Sequence, residues 1–550
     1  MSTTTFVTTA IGTSALGWLV FIAFRVGRRE PDIPPGPPTL PILGNLHVFP
    51  TSRMHIKFTE WAKTYGEIYT IKVANGTATV LSSLDAVGHV LELQSNLTSN
   101  RPPNSIAKMV ADDLHFPTLN YGPKWNSCTR AARVVLSPSA VERNKPIIEA
   151  EISQLLYDFM REPEGFFDHT KRWSASIALS TVCGKRAPQI STPYVNEFYS
   201  MVFDWVRLLE FGAILDLAPA LKYLPEILAP WKAEVRRIRL WMQDLYMSTV
   251  KDCEEREARG TSNGCGLETV RENAEDWGLT RPMIGFLGGV LVEAGGDTTA
   301  LTIHNTILMA MAHPEAQKRA QEEIDRVVGS DRLPTSDDLD RMPYVKAFIL
   351  EVSRLKPTAP LGFPRAASAD VMYKGYRIPS GSTIFTNYWS ISRDPALFDD
   401  PEKFMPERYI QHPQGFGKAL RSQMEQQGSD NTGFLKLWPG VAFGVGKRKC
   451  SGTYLAHNLV NTATLRLLWA FNFDKPKDPS GKPKNVDIWN DKPGILGAPF
   501  PFDCDISVRS PKHAELIRQR FRDAAPIFEP FEQELCEADR QWWNFCRNHG

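Results

Sequence analysis

The run from Ile284 to Ala312 constrains this chain more than any other segment, because it is long, almost wholly apolar and patterned for helix. A helix of that length could cross a bilayer. However, Glu293, Asp297 and His304 fall within it, and ionisable groups are expensive in hydrocarbon. The alternative is a central helix buried in protein, which requires a large domain around it. A chain of 550 residues that is 42% hydrophobic can supply that domain. In the middle of the run lies Ala294-Gly295-Gly296-Asp297-Thr298-Thr299. Two glycines cost a helix about 2 kcal/mol relative to alanines. One reading is that they let the helix kink and a ligand approach its backbone. The other is a tolerated glycine pair, with Thr298 bonded back to its own helix.

A second segment, Phe443-Gly444-Val445-Gly446-Lys447-Arg448-Lys449-Cys450-Ser451-Gly452, joins glycines to a basic run and a cysteine. The glycines permit positive-φ backbone that can lie close to a flat ligand. Three cations before Cys450 favour its thiolate. The apolar stretch Tyr454 to Leu468 reads as a buried helix whose N-terminal dipole adds to that. An ordinary glycine turn with a surface basic cluster fits the same residues. The eight cysteines are scattered without a CxxC pair, so neither a disulfide framework nor a zinc site is indicated. A net charge of +1 argues against general nucleic-acid binding.

The chain divides unevenly. Phe6 to Phe24 is uncharged and mostly apolar, about 28 Å long as a helix. It lacks the preceding basic residues of a cleaved signal, and Arg25, Arg28 and Arg29 follow it. We read residues 1–5 as luminal, 6–24 as a transmembrane anchor, and the remainder as cytosolic by the positive-inside rule. A cytosolic domain leaves the sequons at Asn75 and Asn96 unmodified. Residues 25–49 are basic and proline-rich, including Pro34-Pro35-Gly36-Pro37-Pro38, and read as a stiff hinge. Residues 50–510 read as one mainly helical domain with a small β portion. Its strand-like patches are Ile68 to Val73 and Thr77 to Leu81, and one clear helical repeat runs from Gln317 to Val328. Residues 511–550 form a C-terminal extension, read as a tail packed over the domain surface.

The segment from Phe443 to Gly452 matches F-G-x-G-x-R-x-C-x-G, the heme-binding loop of cytochromes P-450, at every specified position. Glu351-Val-Ser-Arg354 and the downstream Pro406-Glu407-Arg408 resemble that family's ExxR helix and P-E-R segment. The chain therefore resembles the cytochrome P-450 superfamily, and fungal microsomal members in particular. The resemblance implies heme b, with Cys450 as axial ligand of its iron. It implies a buried structural network of Glu351, Arg354 and Arg408. Around Asp297 and Thr298 it implies a groove for oxygen activation, in which Gly295 and Gly296 make room, Thr298 hydrogen-bonds dioxygen and Asp297 relays protons. Cofactor contacts are expected from Trp125, Ala294, Gly295, Arg365, Phe443, Arg448 and Gly452. Relatives usually carry arginine four residues after the tryptophan, where this chain has Thr129. Either Arg130 reaches over, or Lys124 substitutes, or one propionate bond is absent, and Arg130 is our choice.

The implied activity is monooxygenation of an apolar small molecule by hydroxylation or epoxidation, in fungal secondary metabolism or xenobiotic oxidation. Electrons are expected from NADPH through a cytochrome P-450 reductase, since no dinucleotide fingerprint follows a strand here. Lys447, Lys449 and Arg133 are candidates for the docking surface. The expected setting is the endoplasmic reticulum membrane, with lipid as a further partner. Ile106, Phe116, Val290, Glu293 and Leu361 are proposed to line the pocket, Glu293 favouring a basic substrate. A heme-thiolate isomerase or dehydratase and a non-catalytic heme-binding membrane protein are the rivals. Asp297 and Thr298 count against both.

Overall fold

The computed structural model describes residues 26–217, 219–427 and 433–549. The stretch read as an anchor lies outside them. Among the described residues, no helix is long and apolar enough to cross a membrane.

The central helix is Arg281–Ala312 and runs unbroken through Gly295 and Gly296. It packs against helices Phe166–Ala178, Trp231–Arg259 and Thr453–Ala470. Its two halves enter different apolar cores. Met283 to Val292 join a core built from helices Ser105–Ala111, Pro123–Val135, Pro193–Leu217 and Trp231–Arg259. Ile303 to Met311 join another with helices Lys145–Arg161, Pro343–Leu355 and Thr453–Ala470. The intervening turns, which hold Ala294 to Thr298, belong to neither core. Apolar residues anchor both ends of the helix and leave its polar middle at the boundary between them.

The helix stays continuous through the glycine pair. A Cβ on Gly295 would meet the Cβ of Ala178 at 3.2 Å, and one on Gly296 would lie 3.8 Å from that of Ala175. Ser174 donates to the Gly296 carbonyl. Missing side chains here let helix Phe166–Ala178 approach closely, a packing gain that offsets the poor helix propensity.

The β portion is small, as the sequence suggests. Strands β1 (Ile68–Val73), β2 (Gly76–Leu81), β3 (Arg365–Ala366) and β6 (Thr383–Thr386) form a sheet in the order β1-β2-β6-β3. The β1–β2 and β3–β6 pairs are antiparallel and β2–β6 is parallel. Two antiparallel pairs complete the set: β4 (Val371–Tyr373) with β5 (Tyr376–Ile378), and β7 (Phe471–Asp474) with β8 (Asp505–Val508).

The proline-rich segment is not a free spacer. Pro34, Gly36 and Pro37 are buried, the Pro35 carbonyl accepts from the Thr70 amide at 2.7 Å, and Arg29 donates to the carbonyls of Gly36, Pro37 and Thr70 at 2.8 to 3.0 Å. Proline's extended backbone suits it to run beside β1, so this segment packs on the folded domain.

The C-terminal extension is equally integral. Its helix Pro511–Asp523 lies on helix Lys145–Arg161, where the Phe521 and Tyr157 rings stack 4.0 Å apart. In its last helix, Glu537–His549, Trp543 is buried edge-on to Phe521 and Phe528. The fully buried Arg186 guanidinium sits 3.5 Å from the Phe528 ring centre and 4.6 Å from that of Trp543, bridging Glu151 of the domain and Glu532 of the extension.

Candidate active site

Cys450 sits two residues before the N-cap, Gly452, of helix Thr453–Ala470. Its amide donates to the Phe443 carbonyl at 2.8 Å, closing the loop, and its own carbonyl accepts from the Thr453 hydroxyl at 2.8 Å. The loop turns through positive φ at Gly444 and Gly446, and a Cβ on Gly446 would collide with the Leu91 carbonyl at 2.5 Å. Phe443 packs 4.8 Å from the His457 ring.

Cys450 is exposed in the loop, yet the protein packed around its sulfur pushes the thiol up, and the Gly452 amide and Thr453 hydroxyl pull it back. Lys447 bonds the Tyr121 hydroxyl, Arg448 points to the carbonyls of Ser99 and Leu119, and Lys449 is exposed. A bound metal cation would have to supply the charge that ionises this sulfur.

Three guanidinium groups converge beside the loop. Arg448 lies 4.8 Å over the Trp125 ring. Arg365 donates to the Val445 carbonyl at 2.6 Å, while its Nη1 is buried without a partner. Arg101 holds the carbonyls of Pro117, Phe363 and Pro364 at 2.7 to 3.1 Å. None forms an ion pair with a carboxylate among the described residues. Burial lowers Arg101 to about 10. Burial, then Arg101, lowers Arg365 to about 9. Burial, then Arg101 and Arg365, lowers Arg448 to about 9. Concentrated, unneutralised positive charge of this kind fits a ligand bearing two carboxylates.

Arg101 was not anticipated from the sequence. Its one local signal is the following Pro102-Pro103 pair, which denies it helical partners. Arg130 does not join the cluster: it is exposed and covers the Trp277 ring at 5.5 Å. One residue further along helix Pro123–Val135 turns a side chain by about 100°, which explains the difference. Thr129, at the position where relatives carry arginine, is buried with its hydroxyl unpartnered. Lys124 is exposed.

On the central helix, Ala294 is exposed and Thr298 partly so, although the helix is enclosed. One turn apart, they share a face that protein does not cover. Thr298 donates to the Ala294 carbonyl at 2.7 Å. Asp297 has no hydrogen-bond partner among the described residues. Burial and then Glu293 raise it to about 6, against the pull of Lys171 and Lys492. Glu293 is engaged elsewhere: it accepts from the Tyr246 hydroxyl at 2.8 Å and lies 3.2 Å from His115 Nε2. Tyr246 can reach it because its ring occupies the space a Cβ on Gly289 would need, 2.2 Å away.

Of the remaining pocket candidates, Ile106, Val290 and the half-buried Phe116 share one core. Leu361 belongs to another, with Phe58, Trp61 and Tyr69. Glu351 is fully buried and accepts from Arg354 Nε and Nη2 at 2.8 Å, Arg408 Nε at 3.1 Å and the Met405 amide at 2.8 Å. Arg354 extends to the carbonyls of Ser392, Pro401 and Lys403, which fixes the segments leading to the cysteine loop.

A cysteine loop at a helix N-terminus, an arginine cradle for two carboxylates and an uncovered turn of a central helix together define a heme-thiolate protein. Comparison with known proteins makes the assignment specific. Residues 34–497 match the cytochrome P450 family. A cytochrome P450 monooxygenase of Armillaria gallica is 38% identical over 94% of this chain and 97% of its own length. Another, of Arthrobotrys oligospora, is 34% identical over 93% and 96%. A zebra fish cytochrome P450 solved with progesterone superposes with a TM-score of 0.67 at 20% identity, covering 82% of this chain and 99% of that one. The chain belongs to the cytochrome P450 family. It is a heme b-dependent monooxygenase, and its class implies dioxygen, an organic substrate and a redox partner.

Proposed function

We propose that Cys450 is the axial thiolate, that Arg101, Arg365 and Arg448 hold the heme propionates, and that the protein oxygenates an apolar small molecule at the face formed by Ala294 and Thr298. The observation that carries this reading is the unneutralised arginine cluster beside the Cys450 loop. Bound there, heme supplies the activation of dioxygen by two electrons, with thiolate donation favouring O–O cleavage.

The chain's own residues do the rest. Trp125 and Phe443 give the cofactor aromatic surface, Gly452 keeps the backbone by Cys450 free of a side chain, and Thr129 offers a hydroxyl. Glu351, Arg354 and Arg408 hold the segments around the loop. Thr298, while donating to Ala294, can only accept from a ligand, so it orients a protonated group. Asp297, poised near 6, can take a proton and release it close to neutral pH. Exposed Lys492 and partly buried Lys171 link that carboxyl to solvent. With Glu293 already paired to Tyr246 and His115, its carboxylate ties the loop and the neighbouring helix to the site rather than selecting a basic substrate. Ile106, Phe116 and Val290 supply apolar wall.

Residues 6–24 anchor the protein in the endoplasmic reticulum membrane, the catalytic domain facing the cytosol. Exposed Leu40, Ile42 and Leu43 within the hinge, and exposed Tyr223, Ile227 and Leu228, support lipid contact. Electrons arrive from NADPH through a cytochrome P450 reductase, for which exposed Arg133 and Lys449 are docking candidates. Fungal relatives over nearly the whole chain support a role in secondary metabolism or xenobiotic oxidation.

The test is the spectrum of the reduced, CO-bound protein. It should show the strongly red-shifted Soret band of thiolate ligation, lost in Cys450→His, and turnover should require both NADPH and dioxygen. Turnover of an oxygenated substrate without either would establish the isomerase reading instead.

A further inference from the structure

We infer that Cys253 and Cys265 form a peroxide-responsive dithiol that closes reversibly to a disulfide, at a site outside the heme loop. Cys253 lies near the end of helix Trp231–Arg259, and Cys265 caps the short helix Gly266–Glu272. Both are buried, as is Glu268. The two sulfurs and a Glu268 carboxylate oxygen all lie within 4.8 Å of one another.

The surroundings of the two thiols differ. The fully buried Arg256 guanidinium donates to Cys265 Sγ at 3.8 Å while bonding the Cys183 carbonyl at 2.6 Å. On the other side, Cys253 donates to Glu257 Oε1 at 3.6 Å. Arg256, which also pairs with Glu534 at 3.1 Å, favours the Cys265 thiolate against the opposing Glu268 carboxylate, and the Glu257 carboxylate beside Cys253 keeps that thiol protonated. A thiol switch requires one nucleophilic sulfur, one resolving sulfur and access for the oxidant, and because both sulfurs are buried the exposed loop before Cys265 must open to admit it.

The same groups could in principle hold a soft divalent cation, but two observations count against it. Arg256 places positive charge against one ligand. Glu268 already accepts from the amides of Asn263 and Gly264 at 3.2 and 2.8 Å.

The oxidant is a hydroperoxide. The Cys265 thiolate attacks its O–O bond: an S–O bond forms, the O–O bond breaks, and the departing oxygen takes a proton to leave as water or alcohol. The Cys265 sulfur is oxidised by two electrons to sulfenic acid. Cys253 then attacks that sulfur, the S–S bond forms, the S–O bond breaks, and hydroxide leaves as water with the Cys253 proton. For two thiols and hydrogen peroxide the products are a disulfide and two waters. The sulfurs must close to about 2.05 Å, and the exposed loop between the two elements has room to follow. It is bounded by Gly260 and Gly264, both at positive φ with open space around them.

The test treats heme-loaded full-length protein with a few equivalents of hydrogen peroxide, alkylates the remaining thiols under denaturing conditions and maps the peptides by mass spectrometry. A linked Cys253–Cys265 peptide, abolished by dithiothreitol, is expected. Cys253→Ser should trap sulfenic acid at Cys265, labelled by dimedone, whereas Cys265→Ser should leave Cys253 unlabelled. No linked peptide under conditions that leave the heme spectrum intact, equal labelling of Cys253 in the Cys265→Ser variant, or stoichiometric zinc in the purified protein that blocks peroxide reaction would each overturn the inference.

Discussion

Replacing Glu532 and Glu534 by glutamine measures how deeply the C-terminal extension is built into the domain. Arg186 and Arg256 belong to the domain body and their side chains have no exposure, yet acids of the extension meet them, Glu532 at 2.8 Å and Glu534 at 3.1 Å. Glutamine keeps the shape and an acceptor oxygen but removes the charge. Breaking a buried pair from one side costs about 3 to 5 kcal/mol, because the abandoned ion stays desolvated. Two features argue for the low end. Arg186 keeps Glu151 at 3.0 Å, and the Glu534 side chain is 20% exposed, so water can reach Arg256. About 2 kcal/mol for Glu532→Gln and about 3 kcal/mol for Glu534→Gln follow. The double variant should lose about 5 kcal/mol, a large share of a typical domain's stability. Urea unfolding of the heme-loaded protein, followed by far-UV circular dichroism and heme absorbance, reads this directly. Glu537→Gln, at an exposed position in the same segment, is the control. If the double variant unfolds within about 0.5 kcal/mol of that control, the extension is an ornament and the reasoning fails.

Other perturbations separate the remaining claims. Glu351→Gln leaves Arg354 and Arg408 buried and unpaired; it should cost about 3 to 5 kcal/mol and yield protein that holds little heme on purification. Asp297, raised from 3.8 to about 6, keeps a proton in the folded state that the unfolded chain releases. The native protein should therefore lose stability as pH rises through that interval and level off above it. Asp297→Asn should flatten this slope in urea titrations at pH 4 to 7 and slow turnover without weakening heme binding. Arg101→Gln removes a charged hydrogen-bond donor from the carboxylate cradle and should speed heme transfer to apomyoglobin about tenfold. Arg130→Ala, exposed over Trp277, should change that rate less than about twofold.

Local pattern made the catalytic loop, the ExxR helix and the central helix legible, because each writes its signal into neighbouring residues. β1 appears at the strand-like patch Ile68 to Val73, and helix Pro314–Val327 where Ala320 and Ile324 recur. What sequence could not show was set by partners far along the chain. The basic run before Cys450 looked like a source of thiolate stabilisation, yet its members are drawn off by Tyr121, Ser99 and Leu119, more than 300 residues earlier. Arg101 joins Arg365 and Arg448 only once the chain has folded. In the extension a signal was available: the acids Glu532, Glu534 and Asp539 lie between the aromatic Phe528 and the pair Trp542 and Trp543, a composition suited to gripping buried cations rather than to a solvated tail.

The central helix shows how this division of labour works. The three ionisable residues between Ile284 and Ala312 looked from sequence like one fact, an obstacle to crossing a membrane. Folded, they face three ways. His304 is 3.2 Å from the Phe167 carbonyl and burial lowers it to about 3, so it is a neutral core residue. Glu293 is clamped by Tyr246 and His115. Only Asp297 lacks a hydrogen-bond partner among the described residues. Burying a carboxylate without a partner is costly, and close packing of Gly295 and Gly296 against Ala178 and Ala175 holds it there. A chain that needed only a stable helix at this position could satisfy Asp297 as it satisfies the other two. That it stands unpaired one residue from Thr298, on the one stretch of the helix outside both apolar cores, is a structural reason to place the chemistry there.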